Sequence, residues 1–106
     1  MLEVLTKLTN LEIYFQRSNQ QLVLIKFSTS WCAPCHSLEK VIQKLLQENN
    51  KIIALEINVK KFPDLAQRLM FDVKAVPALF LVWKTKIIRR SQGYMDLAKL
   101  REFIKI

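Results

Sequence analysis

Two nearly continuous apolar runs, separated by an amphipathic stretch, are the feature that most restricts how this chain can fold. Residues 22–28 (LVLIKFS) and 52–59 (IIALEINV) are apolar at most positions, which is typical of strands that are covered on both faces of a sheet. The stretch between them carries apolar residues at helical spacing, namely Leu38, Val41, Ile42, Leu45 and Leu46. The pattern predicts two buried strands joined by a helix.

The rest of the chain continues this alternation. The further predicted elements are a short edge strand at residues 2–5, helices at 8–17, 63–70 and 97–104, and strands at 78–83 and 87–90. The resulting order, βαβαβαββα, favours a mostly parallel sheet in which the last two strands form an antiparallel edge. We therefore predict an α/β fold.

The length of the chain limits its organisation. It has 106 residues, of which 51% are hydrophobic, and this fits one domain over residues 1–106. The longest apolar runs fall short of the roughly 20 residues that a membrane-spanning helix needs. Residues 1–6 lack the basic segment and apolar stretch of a secretory signal. We expect a cytoplasmic monomer that has no membrane partner.

Both cysteines and the only histidine lie in one segment, WCAPCHS at residues 31–37. In a reducing cytosol, two cysteines at this spacing are more often catalytic or metal-binding than structural. Cys32 falls at a predicted helix N-terminus, where free backbone N–H groups and the helix dipole favour a thiolate. Cys35 lies one turn further, so its sulfur can attack a mixed disulfide formed by the first. Pro34 fits the first helical turn.

Other chemistries fit this segment less well. Cys32, Cys35 and His36 match the form of a c-type haem attachment site, but haem attachment needs export and a haem-sized pocket. The same side chains supply at most three zinc ligands, whereas a structural zinc site usually has four. A Cys–His protease is disfavoured because adjacent helical residues point about 100° apart. Gly93 is the only glycine, which excludes glycine-rich phosphate loops.

The formal net charge of the chain is +8. Its basic residues are scattered, and they lack the interleaved aromatic residues of nucleic-acid motifs. A solvated basic surface explains this distribution, and attraction of acidic protein partners is the alternative. We expect no nucleic-acid partner.

Two segments carry a resemblance to a known family. Residues 27–35 (FSTSWCAPC) closely resemble the active-site segment of the thioredoxin family, and residues 75–78 (AVPA) resemble its cis-proline loop. The element order is similar over essentially the whole chain. The resemblance implies a thioredoxin fold: a central mixed sheet of four to five strands, flanked by helices, with a cis-proline loop. It also implies that Cys32 is the attacking nucleophile and Cys35 the resolving cysteine.

The resemblance further implies a substrate-binding surface around the cysteines. Pro77 would hold a cis peptide bond, and the backbone of Val76 would pair with an extended substrate segment. Gly93 would let a substrate backbone approach closely. The residues implied in substrate binding are Trp31, Ala33, Pro34, Val76, Pro77 and Gly93.

Several residues depart from the family pattern. Ala33 stands where the family often has Gly, and His36 stands where Lys or Arg is common. A histidinium at residue 36 would stabilise the Cys32 thiolate; the alternative is a helix-surface histidine without that role.

A larger departure concerns two buried strands. The family has a buried Asp before the active site and a Lys that partners it on the next strand, and the matching residues here are Lys26 and Glu56. We hypothesise an ion pair below Cys35 in which Glu56, through a water, accepts the Cys35 proton and Lys26 favours its thiolate. The alternative is that both side chains reach solvent at strand ends.

These observations predict a thiol–disulfide oxidoreductase that reduces protein disulfides. The expected partners are disulfide-containing proteins and an upstream thiol reductase. No bound cofactor and no metal is expected, because the sulfur atoms themselves carry the electrons. The alternative is a thioredoxin-fold binding module whose cysteine pair is regulatory.

Overall fold

The computed structural model describes residues 2–106, so Met1 lies outside the described residues. The strands are β1 (Leu2–Val4), β2 (Leu22–Ser28), β3 (Ile52–Asn58), β4 (Ala78–Trp83) and β5 (Lys86–Gln92). The helices are α1 (Leu11–Arg17), which follows a 3-10 turn at Leu8–Asn10, then α2 (Ala33–Glu48), α3 (Pro63–Gln67) and α4 (Leu97–Phe103). The predicted order of strands and helices is confirmed.

The five strands form one mixed sheet in the order β1-β3-β2-β4-β5. The pairs β1·β3 and β2·β3 are parallel, whereas β2·β4 and β4·β5 are antiparallel. The prediction of a mixed sheet with β1 at one edge is confirmed, but the prediction that the sheet is mostly parallel is wrong.

Strand β4 begins at the end of the sheet where β3 stops. Strand β2 is parallel to β3 and antiparallel to β4, so β4 runs opposite to β3. The connection at residues 59–77, which contains α3, therefore does not return to the start of the sheet.

Side chains of β2 alternate between two buried layers. Val23, Ile25 and Phe27 contribute to a cluster that includes residues of α1 and α3. Leu24 contributes to a second cluster, on the opposite face, that includes residues of α2 and α4. The apolar run at 22–28 is thus covered on both faces, as predicted. Lys26 has the same parity as Leu24, so it lies on the face that α2 covers.

Two boundaries differ from those that the sequence predicts. Helix α3 ends at Gln67 rather than Met70, because Arg68 adopts φ −59° and ψ 144° and Phe71 turns into the core, where it is 1% exposed. Strand β5 is longer than predicted because it pairs with β4 along its length, from Lys86 to Gln92. Burial of Phe71 and strand pairing set these limits, rather than local periodicity.

Candidate functional site

Cys32 lies at the junction of the central strand and the longest helix. It is the N-cap residue of α2, with φ −128° and ψ 103°, and its Sγ accepts a hydrogen bond of 3.2 Å from the Cys35 N–H. A backbone N–H that donates to this sulfur, together with the dipole of the helix that it caps, favours the negatively charged form of the sulfur. Pro34 follows in the first helical turn, where a missing N–H leaves no partner unsatisfied.

The two cysteines are joined in a disulfide, with their Cα atoms 5.2 Å apart. Cys35 is 1% exposed, whereas Cys32 is half-buried. Only the first sulfur is therefore accessible to a molecule in solution. This difference in exposure assigns different tasks to two chemically identical side chains.

The loop that precedes β4 reaches this disulfide. The Val76–Pro77 peptide bond is cis, and the Val76 carbonyl oxygen lies 3.9 Å from the Cys32 Sγ. Gly93 donates its backbone N–H to the Pro77 carbonyl at 2.7 Å. Gly93 has φ +86°, and no atom lies within 4 Å of the position that a Cβ would take. A glycine is favoured there by its backbone conformation, and the space beside it is open.

Apolar surface surrounds the exposed edge of the disulfide. Trp31 is 90% exposed, and Ala33 and Pro34 are also exposed. A groove of about 330 Å³ runs beside the cis-proline loop, and its apolar lining includes Val59, Val73 and Val76. An extended peptide could lie along this surface with its disulfide next to Cys32.

Lys26 and Glu56 form an ion pair below the disulfide. They are register partners on β2 and β3, and the Lys26 Nζ lies 2.6 Å from the Glu56 Oε1. The Lys26 side chain is 1% exposed and that of Glu56 is 20% exposed. The pair lines a cavity of about 140 Å³ together with Cys35. The charge-exchanged pair is therefore present, and its part in proton transfer stays a prediction.

His36 contacts the loop before the helix rather than a sulfur atom. Its Nε2 lies 2.9 Å from the Ser30 carbonyl oxygen, and because a carbonyl only accepts, Nε2 carries a proton in this contact. The ring is exposed. This geometry favours the helix-surface role over stabilisation of the Cys32 thiolate.

Glu39 is a site residue that the sequence interpretation missed. It lines the cavity that also contains Cys35, Lys26 and Glu56. Its position four residues after Cys35, on the same helix face, is a signal from which it could have been found. Among residues 2–106, no group of three or more His, Cys, Asp or Glu side chains is arranged to hold a metal ion.

Comparison with known proteins gives a consistent assignment. The family model described as Thioredoxin matches residues 4–106. The chain is 32% identical over 83 residues to a thioredoxin of Chlamydia trachomatis, covering 78% of this chain and 79% of that one. It is 32% identical over 78 residues to monothiol glutaredoxin-4 of Schizosaccharomyces pombe, covering 74% of this chain and 31% of the relative. It is also 32% identical over 76 residues to mitochondrial thioredoxin-2 of that yeast, covering 72% of this chain and 56% of the relative. The chain thus spans about a third of the length of the yeast glutaredoxin and just over half of the length of the yeast mitochondrial thioredoxin.

Solved structures agree on the fold. The thioredoxin of Fasciola hepatica superposes with a TM-score of 0.85 at 24% identity, covering 96% of this chain and 95% of that one. A second structure concerns the thiol resolving mechanism of a yeast mitochondrial 1-Cys peroxiredoxin through glutathione and thioredoxin systems. It superposes with a TM-score of 0.78 at 22% identity, covering 96% of this chain and 92% of that one. At these identities the likeness concerns the fold alone. The family match and the bonded cysteine pair together support thiol–disulfide oxidoreductase chemistry.

Proposed function

Because this chain belongs to the thioredoxin family, we propose that it reduces protein disulfides through a dithiol formed by Cys32 and Cys35. The observation that carries the proposal is the cysteine pair itself: one half-buried sulfur caps α2 and its partner is buried one turn behind it. The Val76 carbonyl lies against the first of these sulfur atoms. This arrangement supports two-step thiol–disulfide exchange.

In the first step, the Cys32 thiolate attacks one sulfur of the substrate disulfide. The substrate S–S bond breaks and a Cys32–substrate disulfide forms, while the other substrate sulfur leaves as a thiolate and takes a proton from solvent. The N-terminus of α2 promotes this step because its N–H groups favour the charged sulfur. Cys35 does not compete as the attacking group because it is 1% exposed.

In the second step, Cys35 loses its proton and attacks the Cys32 sulfur. The mixed disulfide breaks and the Cys32–Cys35 bond forms, so the substrate has gained two electrons and the protein has lost them. The product is the disulfide state that the structure describes. An upstream thiol reductase, which we propose as a partner, returns the two electrons.

The surface around Cys32 suits an extended peptide. We assign Trp31, Ala33 and Pro34 to apolar contact with the substrate, since all three are exposed beside the disulfide. The backbone of Val76 supplies hydrogen bonds of the strand-addition type. Pro77 holds that backbone in place, and the open space at Gly93 admits the substrate chain.

The Lys26–Glu56 pair acts on the resolving step in this proposal. Glu56 accepts the Cys35 proton through a water, since the cavity of about 140 Å³ that they share has room for one. Lys26 favours the Cys35 thiolate by its positive charge. Glu56→Gln tests this role: an unchanged pH profile and rate of disulfide reduction would remove Glu56 from the mechanism.

The proposed partners are disulfide-containing proteins that meet the protein as a monomer in the cytoplasm. The net charge of +8 would raise encounter rates with acidic substrates, and this effect would weaken with salt. Along residues 2–106, no helix is both long and apolar enough to cross a membrane.

An insulin-reduction assay with dithiothreitol tests the proposed function. The wild type should accelerate precipitation of the insulin B chain well above the rate with dithiothreitol alone, and Cys32→Ser should remove this acceleration. Equal rates for the wild type and Cys32→Ser would instead favour a binding module with a regulatory cysteine pair. Ser37→Ala, on the same helix, is a matched control that should retain the wild-type rate.

A further inference from the structure

Glu39 has no part in the reaction steps described so far. It lies one helical turn after Cys35, and both side chains line the cavity of about 140 Å³ below the disulfide. The Cα–Cβ bonds of a helix tilt toward its N-terminus, so the Glu39 side chain is carried back toward the turn that holds Cys35. Glu39 is half-buried, which places it between the cavity and solvent.

The charges that face this cavity do not balance. Lys26 on β2 supplies one ammonium, and Glu56 on β3 holds it at 2.6 Å. Glu39 on α2 is a second carboxylate, and it forms no ion pair with any other residue in the described part of the chain. Besides Cys35, the other titratable residue of α2 at the cavity is His36, which contacts the Ser30 carbonyl instead.

The two carboxylates therefore have different capacities for a new proton. One oxygen of Glu56 is occupied by the Lys26 ammonium, and a proton arriving on that carboxylate would weaken a buried ion pair. A proton arriving on Glu39 removes a charge that has no such partner. The half-buried position of Glu39 also lets the proton pass on to solvent afterwards.

We propose that Glu39 is a second acceptor, besides Glu56, of the proton that Cys35 loses in the resolving step, and that it receives this proton through cavity water. This inference rests on the proposed disulfide-reductase function. The Cys35 S–H bond breaks and its proton moves to the Glu39 carboxylate. The Cys35 sulfur forms the bond to Cys32, and the substrate sulfur leaves with the electron pair of the mixed disulfide. Glu39 and Glu56 then form a shared acceptor site in which Lys26 keeps Glu56 in place.

Stopped-flow reaction of the reduced protein with dithiobis(nitrobenzoate), the disulfide of thionitrobenzoate, separates the attack by Cys32 from the resolving attack by Cys35. Cys32 attack releases the first coloured thionitrobenzoate at a rate proportional to reagent concentration. Cys35 attack releases the second at a rate independent of reagent concentration. Each release is a two-electron exchange between sulfur atoms, so no further oxidant is needed.

Glu39→Gln should slow the second release by about tenfold or more at neutral pH, the lower part of the range for general acid–base catalysis. The rate of the first release should stay within about twofold of the wild-type rate, since Cys32 attacks as a thiolate and needs no proton acceptor in that step. The wild type and Glu39→Gln should differ less in the rate of the second release at high pH, where the Cys35 thiol ionises without an acceptor. Glu39→Asp should recover part of the rate, and Glu12→Gln is the control for loss of one carboxylate.

Equal second-release rates for the wild type and Glu39→Gln across the pH range would overturn the inference. Equal slowing of both releases would also overturn it, because that result indicates a general structural effect. If Glu39→Gln unfolds, Glu39→Leu, which also removes the carboxylate, provides the same comparison. Failure of the proposed function is a different result, in which the wild type itself releases no second thionitrobenzoate.

Discussion

The Lys26 Nζ lies 2.6 Å from the Glu56 Oε1 across two parallel strands, at a depth where the lysine side chain is 1% exposed. The two residues are register partners of β2 and β3, so strand pairing brings their side chains to the same face of the sheet. An ammonium with so little access to water is stable only with a compensating charge. Glu56 supplies that charge beside the resolving cysteine.

The first prediction concerns the stability of this pair. Glu56→Gln leaves the Lys26 ammonium unpaired, and we expect a loss of about 3 kcal/mol in the free energy of unfolding. The double change Lys26→Met with Glu56→Leu should recover most of this loss, since it removes both charges and keeps apolar volume. Urea denaturation measures both effects.

The control is the exposed pair of Glu102 and Lys105. Glu102→Gln should change the free energy of unfolding by less than about 1 kcal/mol. A similarly small effect of Glu56→Gln would contradict the view that Glu56 compensates a buried charge.

The second prediction concerns the different exposure of the two sulfur atoms. In the reduced protein, iodoacetamide should modify Cys32 at least about tenfold faster than Cys35, because Cys32 is half-buried at a helix N-terminus that favours its thiolate. Both cysteines lie in the tryptic peptide of residues 27–40, so fragmentation of this peptide by tandem mass spectrometry after timed quenching gives the two rates. In urea the two cysteines should react alike, and equal rates in the folded protein would contradict the assignment of Cys32 as nucleophile.

The third prediction follows from the Glu48–Arg101 pair that joins α2 to α4. Two hydrogen bonds, of 2.7 and 2.8 Å, lower the pKa of Glu48 below its ordinary value of 4.5. A carboxyl group whose pKa is lower in the folded state adds stability above its unfolded pKa, and this contribution is lost as the pH falls through the folded pKa. The stability difference between the wild type and Glu48→Gln should therefore be present at neutral pH.

The same difference should disappear on acidification below the ordinary pKa of 4.5. Urea denaturation at low salt and several pH values checks this. High salt should reduce the difference at neutral pH as well, because the pair is exposed. If the stability difference between the wild type and Glu48→Gln instead grew on acidification, the predicted direction of the pH dependence would be wrong.

The fourth prediction concerns the hairpin between β4 and β5. Lys84 and Thr85 have φ of 54° and 68°, a region that is strained for residues other than Gly, Asn or Asp, and most for a β-branched one. The turn is held because Ser18 accepts the Thr85 N–H at 2.8 Å. Thr85→Gly keeps this hydrogen bond and should raise the free energy of unfolding by about 1 kcal/mol.

Thr6→Gly is a matched control for the turn. Thr6 lies outside the helices and strands, and it is not among the residues with positive φ. The same substitution should therefore be neutral or destabilising at residue 6, since it only increases the freedom of the unfolded chain. A loss of stability in Thr85→Gly would contradict the strain argument.

Local sequence patterns were enough to determine the strands, the helices and the redox pair. Apolar runs and helical spacing report which residues face a core, and these patterns need only neighbouring residues to be recognised. Cys32 at the start of a helix and Cys35 one turn later are also local facts. For the same reason, the limits of β2 and the end of α2 before Asn49 agree with the structure.

Only the tertiary structure decided the features that join distant segments. The antiparallel direction of β4 depends on the end of the sheet at which the long connection after β3 brings the chain back to the sheet. The end of α3 depends on burial of Phe71, and the cavity below Cys35 depends on strands that pack under α2. The sequence places Glu39 one helical turn after Cys35, but only the folded chain brings Lys26 and Glu56 to the cavity that Glu39 lines. These contacts arise from packing between residues far apart along the chain, which local periodicity does not encode.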